Sequence, residues 1–340
     1  MSASTVADSY LDSLAPAIAR IDGWLAECID AADVPENLRE AARHAVLVGG
    51  KRLRPLLSVM WCEACGGNPE QARPAAVAIE LIHAFSLVHD DLPALDNDLL
   101  RRGQPTVHAR FGEAMAILAG DLLMSLAFET VAASGGDRAG AQPALGPVNA
   151  RSGPRHGGTA LDSLGAGLAF ELATATTRMI NGQVLDTLGG FASHEVDPHV
   201  RLKRIHSNKT GALITSACRM GARCAGAPAE LLGAATEYGD AIGLMFQIVD
   251  DLLDVTQSTE HLGKAAGKDE SAGKLTFPGV LGIAASQSQV RALHGKALGI
   301  LEGLSGEGLG GARLASGRTA ACSSCIALRE LADYMAVRTR

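Results

Sequence analysis

Aromatic residues are scarce. The 340-residue chain has 3 Tyr, 2 Trp and 7 Phe, which leaves few platforms on which nucleobases could stack. An excess of positive charge is missing too. Lys plus Arg number 30 against 37 Asp plus Glu, a net charge of −7, so the surface is not a nucleic-acid coat. Met1–Ser13 holds no basic stretch followed by an apolar one, so no secretory leader is expected. No uninterrupted apolar run reaches about 18 residues, and no membrane span is expected. The seven cysteines are an odd number in a chain without a leader, which points to reduced thiols and a cytoplasmic protein. Alternating β-branched runs are scarce, which favours an all-α protein over an α/β one.

What is present is helix signal. Apolar residues recur at spacings of three and four over Glu36–Val48, Ala75–Asp91, Phe111–Ala133, Ala166–Leu188, Val200–Ala225 and Pro228–Val255. These predict an all-α protein. With 47% apolar residues the chain can bury a large core, and it reads as one domain over 1–340. Two Gly-rich segments break the pattern, 134–165 and 304–320, and are expected to be long mobile loops.

Two acidic motifs sit in apolar surroundings. The first is His89-Asp90-Asp91-Leu92-Pro93-Ala94-Leu95-Asp96-Asn97-Asp98; Pro93 cannot continue a helix, so its carboxylates should lie where a helix stops. The second is Asp250-Asp251-Leu252-Leu253-Asp254, in which Gln247, Asp250 and Asp254 fall at i, i+3 and i+7 on one helical face. A solvated acidic face explains one such cluster more readily than two. Like charges beside apolar walls repel and lose hydration, and divalent cations relieve both costs. Carboxylates alone suit hard cations, and Mg²⁺ takes one or two of them together with substrate phosphates. The pair therefore suggests a diphosphate held through a metal bridge. Basic groups that could meet it directly are Lys51, Arg52 and Arg54 in a glycine-led loop, Arg101 and Arg102 after the first motif, Lys209 ahead of an apolar helix, and Lys264 and Lys274 after the second motif.

Cys62-Glu63-Ala64-Cys65 and Cys322-Ser323-Ser324-Cys325 together echo a four-thiolate zinc pattern, but small apolar thiols packed in helices are the preferred reading.

With these motifs in place the chain resembles the short-chain trans-prenyl diphosphate synthases, most closely bacterial farnesyl diphosphate synthases. The stretches that carry the resemblance are GGKRLRP (49–55), IELIHAFSLVHDDLPALDND (79–98), RRGQPTVH (101–108), FGEAMAILAGD (111–121), NGQVLD (181–186), NKTGAL (208–213), FQIVDDLLD (246–254) and GKLTFP (273–278). The resemblance implies a helical bundle around a deep cavity, a homodimer, and three Mg²⁺ ions between the aspartate motifs. It makes Asp90, Asp91, Asp96, Asp250 and Asp254, with Asp251 beside them, the metal-ligand candidates. It assigns Arg101, Lys209 and Lys264 to the allylic diphosphate. Gly50, Lys51, Arg54, His83 and Arg102 go to isopentenyl diphosphate, and Thr210 and Gln247 to the allylic cation. Phe85, five residues before Asp90, is expected to floor the cavity, with the small Ser86 leaving its upper part open. Leu99 departs from the family, which often has an Asp there. The implied reaction is Mg²⁺-dependent condensation of isopentenyl diphosphate with dimethylallyl or geranyl diphosphate to farnesyl diphosphate. Alternatives are a geranylgeranyl product, a non-catalytic partner subunit and, less well matched at 49–55, a terpene cyclase.

Overall fold

The structure, a computed structural model, describes residues 3–134, 164–256, 275–305 and 322–337. Of the Gly-rich segments expected to be loops, 135–163 and 306–320 lie outside the described residues, as do Lys264 and Lys274, while 164–165 and 304–305 belong to helices. The all-α expectation holds. In chain order the helices are α1 (Ala3–Asp30), α2 (Glu36–Leu47), α3 (Leu53–Ala64), α4 (Pro69–Asp90), α5 (Val107–Phe111), α6 (Glu113–Ala132), α7 (Leu164–Thr187), α8 (Pro198–His206), α9 (Ala212–Cys224), α10 (Ala229–Thr256), α11 (Phe277–Leu281), α12 (Ile283–Ser305) and α13 (Cys322–Val337). Between α4 and α5 a two-residue hairpin pairs β1 (Leu100–Arg101) with β2 (Gln104–Pro105).

Local chemistry sets the ends of the site-bearing helices. Asn68 caps α4 by accepting from the Gln71 N–H, while the Gln71 side chain accepts from the Asn68 N–H, and Pro69 occupies the first turn. At the other end Pro93 stops α4 as expected, and the chain doubles back so that the Asp96 N–H donates to the Asp90 carbonyl at 2.9 Å. Asp96 is thereby folded onto Asp90. Asp197 caps α8 through the His199 N–H, with Pro198 in its first turn.

The expectation of one helix over Val200–Ala225 is corrected. α8 ends at His206, a π-helical turn spans Ser207–Gly211, and α9 follows. The periodicity of the flanking apolar residues survives the extra residue in the turn, so sequence spacing does not expose it. Close approach does: a Cβ on Gly182 of α7 would lie 2.1 Å from the Lys209 nitrogen. Glycine at 182 lets the π turn, and Lys209 with it, sit against α7.

The core is continuous from α1 to α13 and includes Trp61, Tyr238 and Phe277, all fully buried. The expectation of no spanning segment needs a qualification. α6 is long and apolar enough to cross a membrane by length and composition, although here it packs on α4, α2, α5 and α7. Ile117 and Leu118 on α6 and Phe170 on α7 are exposed and apolar, while the exposed Ile180 and Val184 of α7 face the second cavity described below.

Candidate active site

Two cavities lie side by side and share Arg54 and His83 as wall. The first, of about 560 Å³, is lined by Gly50, Lys51, Arg102, Phe246, Asp250 and Tyr334 among others. The second, of about 430 Å³, is lined by Phe85, Ser86, His89, Asp90, Met179, Lys209, Thr210 and Leu213 among others. One aspartate motif thus opens on each cavity.

The loop before α3 supplies the cationic wall. A Cβ on Gly50 would strike the Arg102 guanidinium at 2.7 Å, so glycine lets Arg102 lie across the loop, where it donates to the Gly49 carbonyl. Arg54 is half-buried, and its buried Nε has no hydrogen-bond partner. Loss of hydration lowers its pKa, with Arg102 also lowering it and Glu80 and Asp250 acting the other way. A guanidinium with a buried, unmet donor is ready for an anion. His83 is held neutral, well below its ordinary range, by burial and then by Arg54, Arg102, Arg101 and Arg52. Lys51 reaches the Tyr334 hydroxyl on α13 at 3.4 Å.

Arg52, in the same loop, turns away from this task. Its backbone is left-handed, with φ of 48°, and its side chain is buried. It donates at 2.7 Å to Glu80 on α4, to Asp22 on α1 and to the Val46 carbonyl on α2. That clamp fixes the loop between its two substrate-facing neighbours. Along the chain Arg52 is not distinguished from its basic neighbours, and Glu80, 28 positions away, has no assigned role.

The first acidic motif is crowded. Burial pushes the Asp90 carboxyl up to about 6, with Asp96 and Asp91 adding repulsion and Lys209 and Arg101 opposing it. Asp91 is buried and its carboxylate is covered by Arg101, whose Nε donates to both oxygens at 3.0 and 2.9 Å and whose Nη2 donates at 2.6 Å. Lys209 pairs with Asp186 at 2.6 Å. Asp186 ends the NGQVLD stretch, which carried the resemblance without a role for this residue.

In the second motif Asp250 lines the first cavity, but Asp251 is turned into the protein. It accepts from Gln247 Nε2 at 3.1 Å and from the Phe277 N–H at 2.9 Å. In this arrangement it ties α11 to α10. Gln247 also accepts from the Thr210 hydroxyl at 3.0 Å, so the two residues expected to act together do meet. Beside them His206 is stacked on Phe277 and lowered to about 4, chiefly by burial.

The donor set suits a hard dication. Asp90 and Asp96 offer oxygen donors only, and burial, with Asp96 folded beside it, works against the charged form of Asp90, a cost that a dication would relieve. That is the arrangement in which Mg²⁺ completes its shell from phosphate and water. Cys62, Cys65 and Cys325 are buried, and burial, then neighbouring thiols, pushes Cys62 and Cys65 up to about 12.

The family model described as Polyprenyl synthetase matches residues 35–299. The chain is 42% identical over 269 residues to geranylgeranyl pyrophosphate synthase 3, chloroplastic, of Arabidopsis thaliana, covering 77% of this chain and 68% of that one. Among solved structures it is similar to an FPP/GFPP synthase from Zymomonas mobilis, with a TM-score of 0.71 and 31% identity over 98% of this chain and 100% of that one. It is similar also to geranylgeranyl pyrophosphate synthetase from Pyrococcus horikoshii, with a TM-score of 0.75 and 29% identity over 97% and 98%. Adjoining acidic and basic cavities in an all-α bundle, and a family match over most of the length, lead to one conclusion: this chain belongs to the polyprenyl synthetase family and is a short-chain trans-prenyltransferase.

Proposed function

We propose that the protein condenses isopentenyl diphosphate with allylic diphosphates in the presence of Mg²⁺ and that geranylgeranyl diphosphate is its main product. The observation that carries the condensation is the shared wall. Arg54 and His83 line both cavities, so two diphosphates bound one in each would be held side by side with cationic charge between them. Asp90 and Asp96, with Asp250 and Asp254, are the residues that would hold the metal, which neutralises the leaving diphosphate when bound. Lys209 and Arg101 flank Asp90 and add direct positive charge on the allylic side. Gly50, Lys51, Arg54 and Arg102 serve isopentenyl diphosphate from the first cavity. Phe85, Met179 and Leu213 form an apolar wall that keeps water from the allylic cation, while the Thr210–Gln247 pair offers it oxygen dipoles. The last proton needs no strong protein base, since the departed diphosphate accepts it.

The twenty-carbon product takes precedence over the fifteen-carbon expectation because the 42%-identical relative is named as a geranylgeranyl pyrophosphate synthase. A farnesyl product remains the second reading, favoured by the Phe85 ring in the wall of the second cavity. Purified protein supplied with Mg²⁺, isopentenyl diphosphate and each allylic starter, followed by chromatography of the dephosphorylated products, decides between them. Consumption of farnesyl diphosphate to a twenty-carbon alcohol supports the first reading, accumulation at fifteen carbons the second, and no condensation refutes both. We propose further that two copies pair through α6 and α7, where Ile117, Leu118 and Phe170 are exposed. Phe170→Glu should convert a dimer to a monomer in light scattering.

A further inference from the structure

Phe85 and His89 are one turn apart on α4, and both line the second cavity. Their rings meet edge to face, with centroids 5.0 Å apart at 79°. The far side of the imidazole rests on α6. His89 Nε2 lies 3.1 Å from the Ile117 carbonyl, which can only accept, so this nitrogen carries the proton. The ring is seated over a gap made by Gly120: a Cβ there would lie 2.2 Å from Nε2, 2.5 Å from Cδ2 and 3.0 Å from Cε1. An imidazole hydrogen-bonded to one helix, seated on its glycine and pressed against a phenyl ring has little freedom. Phe85 is buried and its ring meets His89, so its position depends on what fills the space beside it.

We propose that His89, seated over Gly120, is the positioning residue that fixes the Phe85 ring and so sets the length at which chain growth stops. The proposal rests on the reading that Phe85 closes the tail cavity. His89 touches no reacting atom in this arrangement; it acts through the ring it supports. Neither His89 nor Gly120 differs in composition from an ordinary helical residue, and only the packing of α4 on α6 joins them.

The test uses the full-length enzyme and reads the ratio of products, which a loss of stability alone does not move. His89→Gln keeps a donor toward Ile117 but removes the ring, and His89→Ala removes both. Each should let Phe85 fall back and raise the share of the next longer product by about tenfold, the scale for a changed wall in a hydrocarbon pocket. Gly120→Ala should drive the imidazole toward Phe85 and shorten the product. In the His89→Ala background Gly120→Ala should have little effect, because its methyl fills vacated space. Phe85→Ala is the control for the underlying reading. If it lengthens the product while both His89 variants keep the wild-type ratio, the positioning role is refuted and the floor stands. If Phe85→Ala leaves the ratio unchanged, the floor is refuted and the positioning role with it. A Gly120→Ala effect that persists without His89 would also overturn the proposal.

Discussion

Replacing Arg52 by glutamine separates what holds the basic loop from what binds substrate. Arg52 and Glu80 form an ion pair at 2.7 Å with side-chain exposures of 2% and 4%. Removing one partner of such a pair leaves an uncompensated buried charge and costs about 3–5 kcal/mol. The bond to Asp22 adds less, since that carboxylate is 40% exposed and is readily solvated again. The Val46 carbonyl loses its side-chain donor as well. Taking about 4 kcal/mol in all and about 2.1 cal/mol/K of unfolding entropy per residue, Tm should fall by about 6 °C. The functional effect should be selective. Lys51 and Arg54 flank the clamp, and a misplacement of about 1 Å can cost on the order of 10²-fold. The kcat/KM for isopentenyl diphosphate should therefore drop about 10- to 100-fold while the KM for the allylic substrate changes little. Arg52→Met with Glu80→Leu should recover most of the Tm, because an apolar pair of similar volume is often neutral or stabilising, yet leave isopentenyl KM high. Differential scanning calorimetry and steady-state kinetics with each substrate varied in turn measure both effects. A Tm within about 2 °C of wild type would refute the energetic argument, and equal changes in both KM values would refute the positional one.

Asp90→Ala should lower turnover by on the order of 10²–10³, the scale for one preorganised electrostatic contact, and EDTA should abolish activity that Mg²⁺ restores; near-normal turnover in the variant would end the metal-bridge reading. Arg54→Gln should raise the KM for isopentenyl diphosphate and Lys209→Gln that for the allylic diphosphate, and the reverse order would mean the two cavities are assigned the wrong way round. Because burial holds His206 at about 4, below its ordinary 6.5, the unfolded chain binds the extra proton between those values. Stability from this group is complete above pH 6.5 and is lost as pH falls toward 4, by roughly 3 kcal/mol in all, so Tm should fall over that range and fall less in His206→Gln.

The sequence alone determined the helical class, the stop at Pro93 and the shared face of Gln247 and Asp250, because these follow from spacing and local backbone chemistry. Its motifs also sufficed to name the family. What it left open was every pairing between distant segments. Arg52 reads as one more substrate cation until α1, α2 and α4 close around it. Asp251 is indistinguishable from Asp250 along the chain, yet the helix turns it about 100° away, toward the Phe277 N–H. The break at Ser207–Gly211 keeps a helical composition, and its close seat on Gly182 of α7 appears only in the tertiary structure. Periodicity records which face of a helix is buried. It does not record which helix covers that face, and that neighbour decides whether a carboxylate meets a cation, an amide or a cavity, and whether a histidine is a surface residue or the support of an aromatic ring.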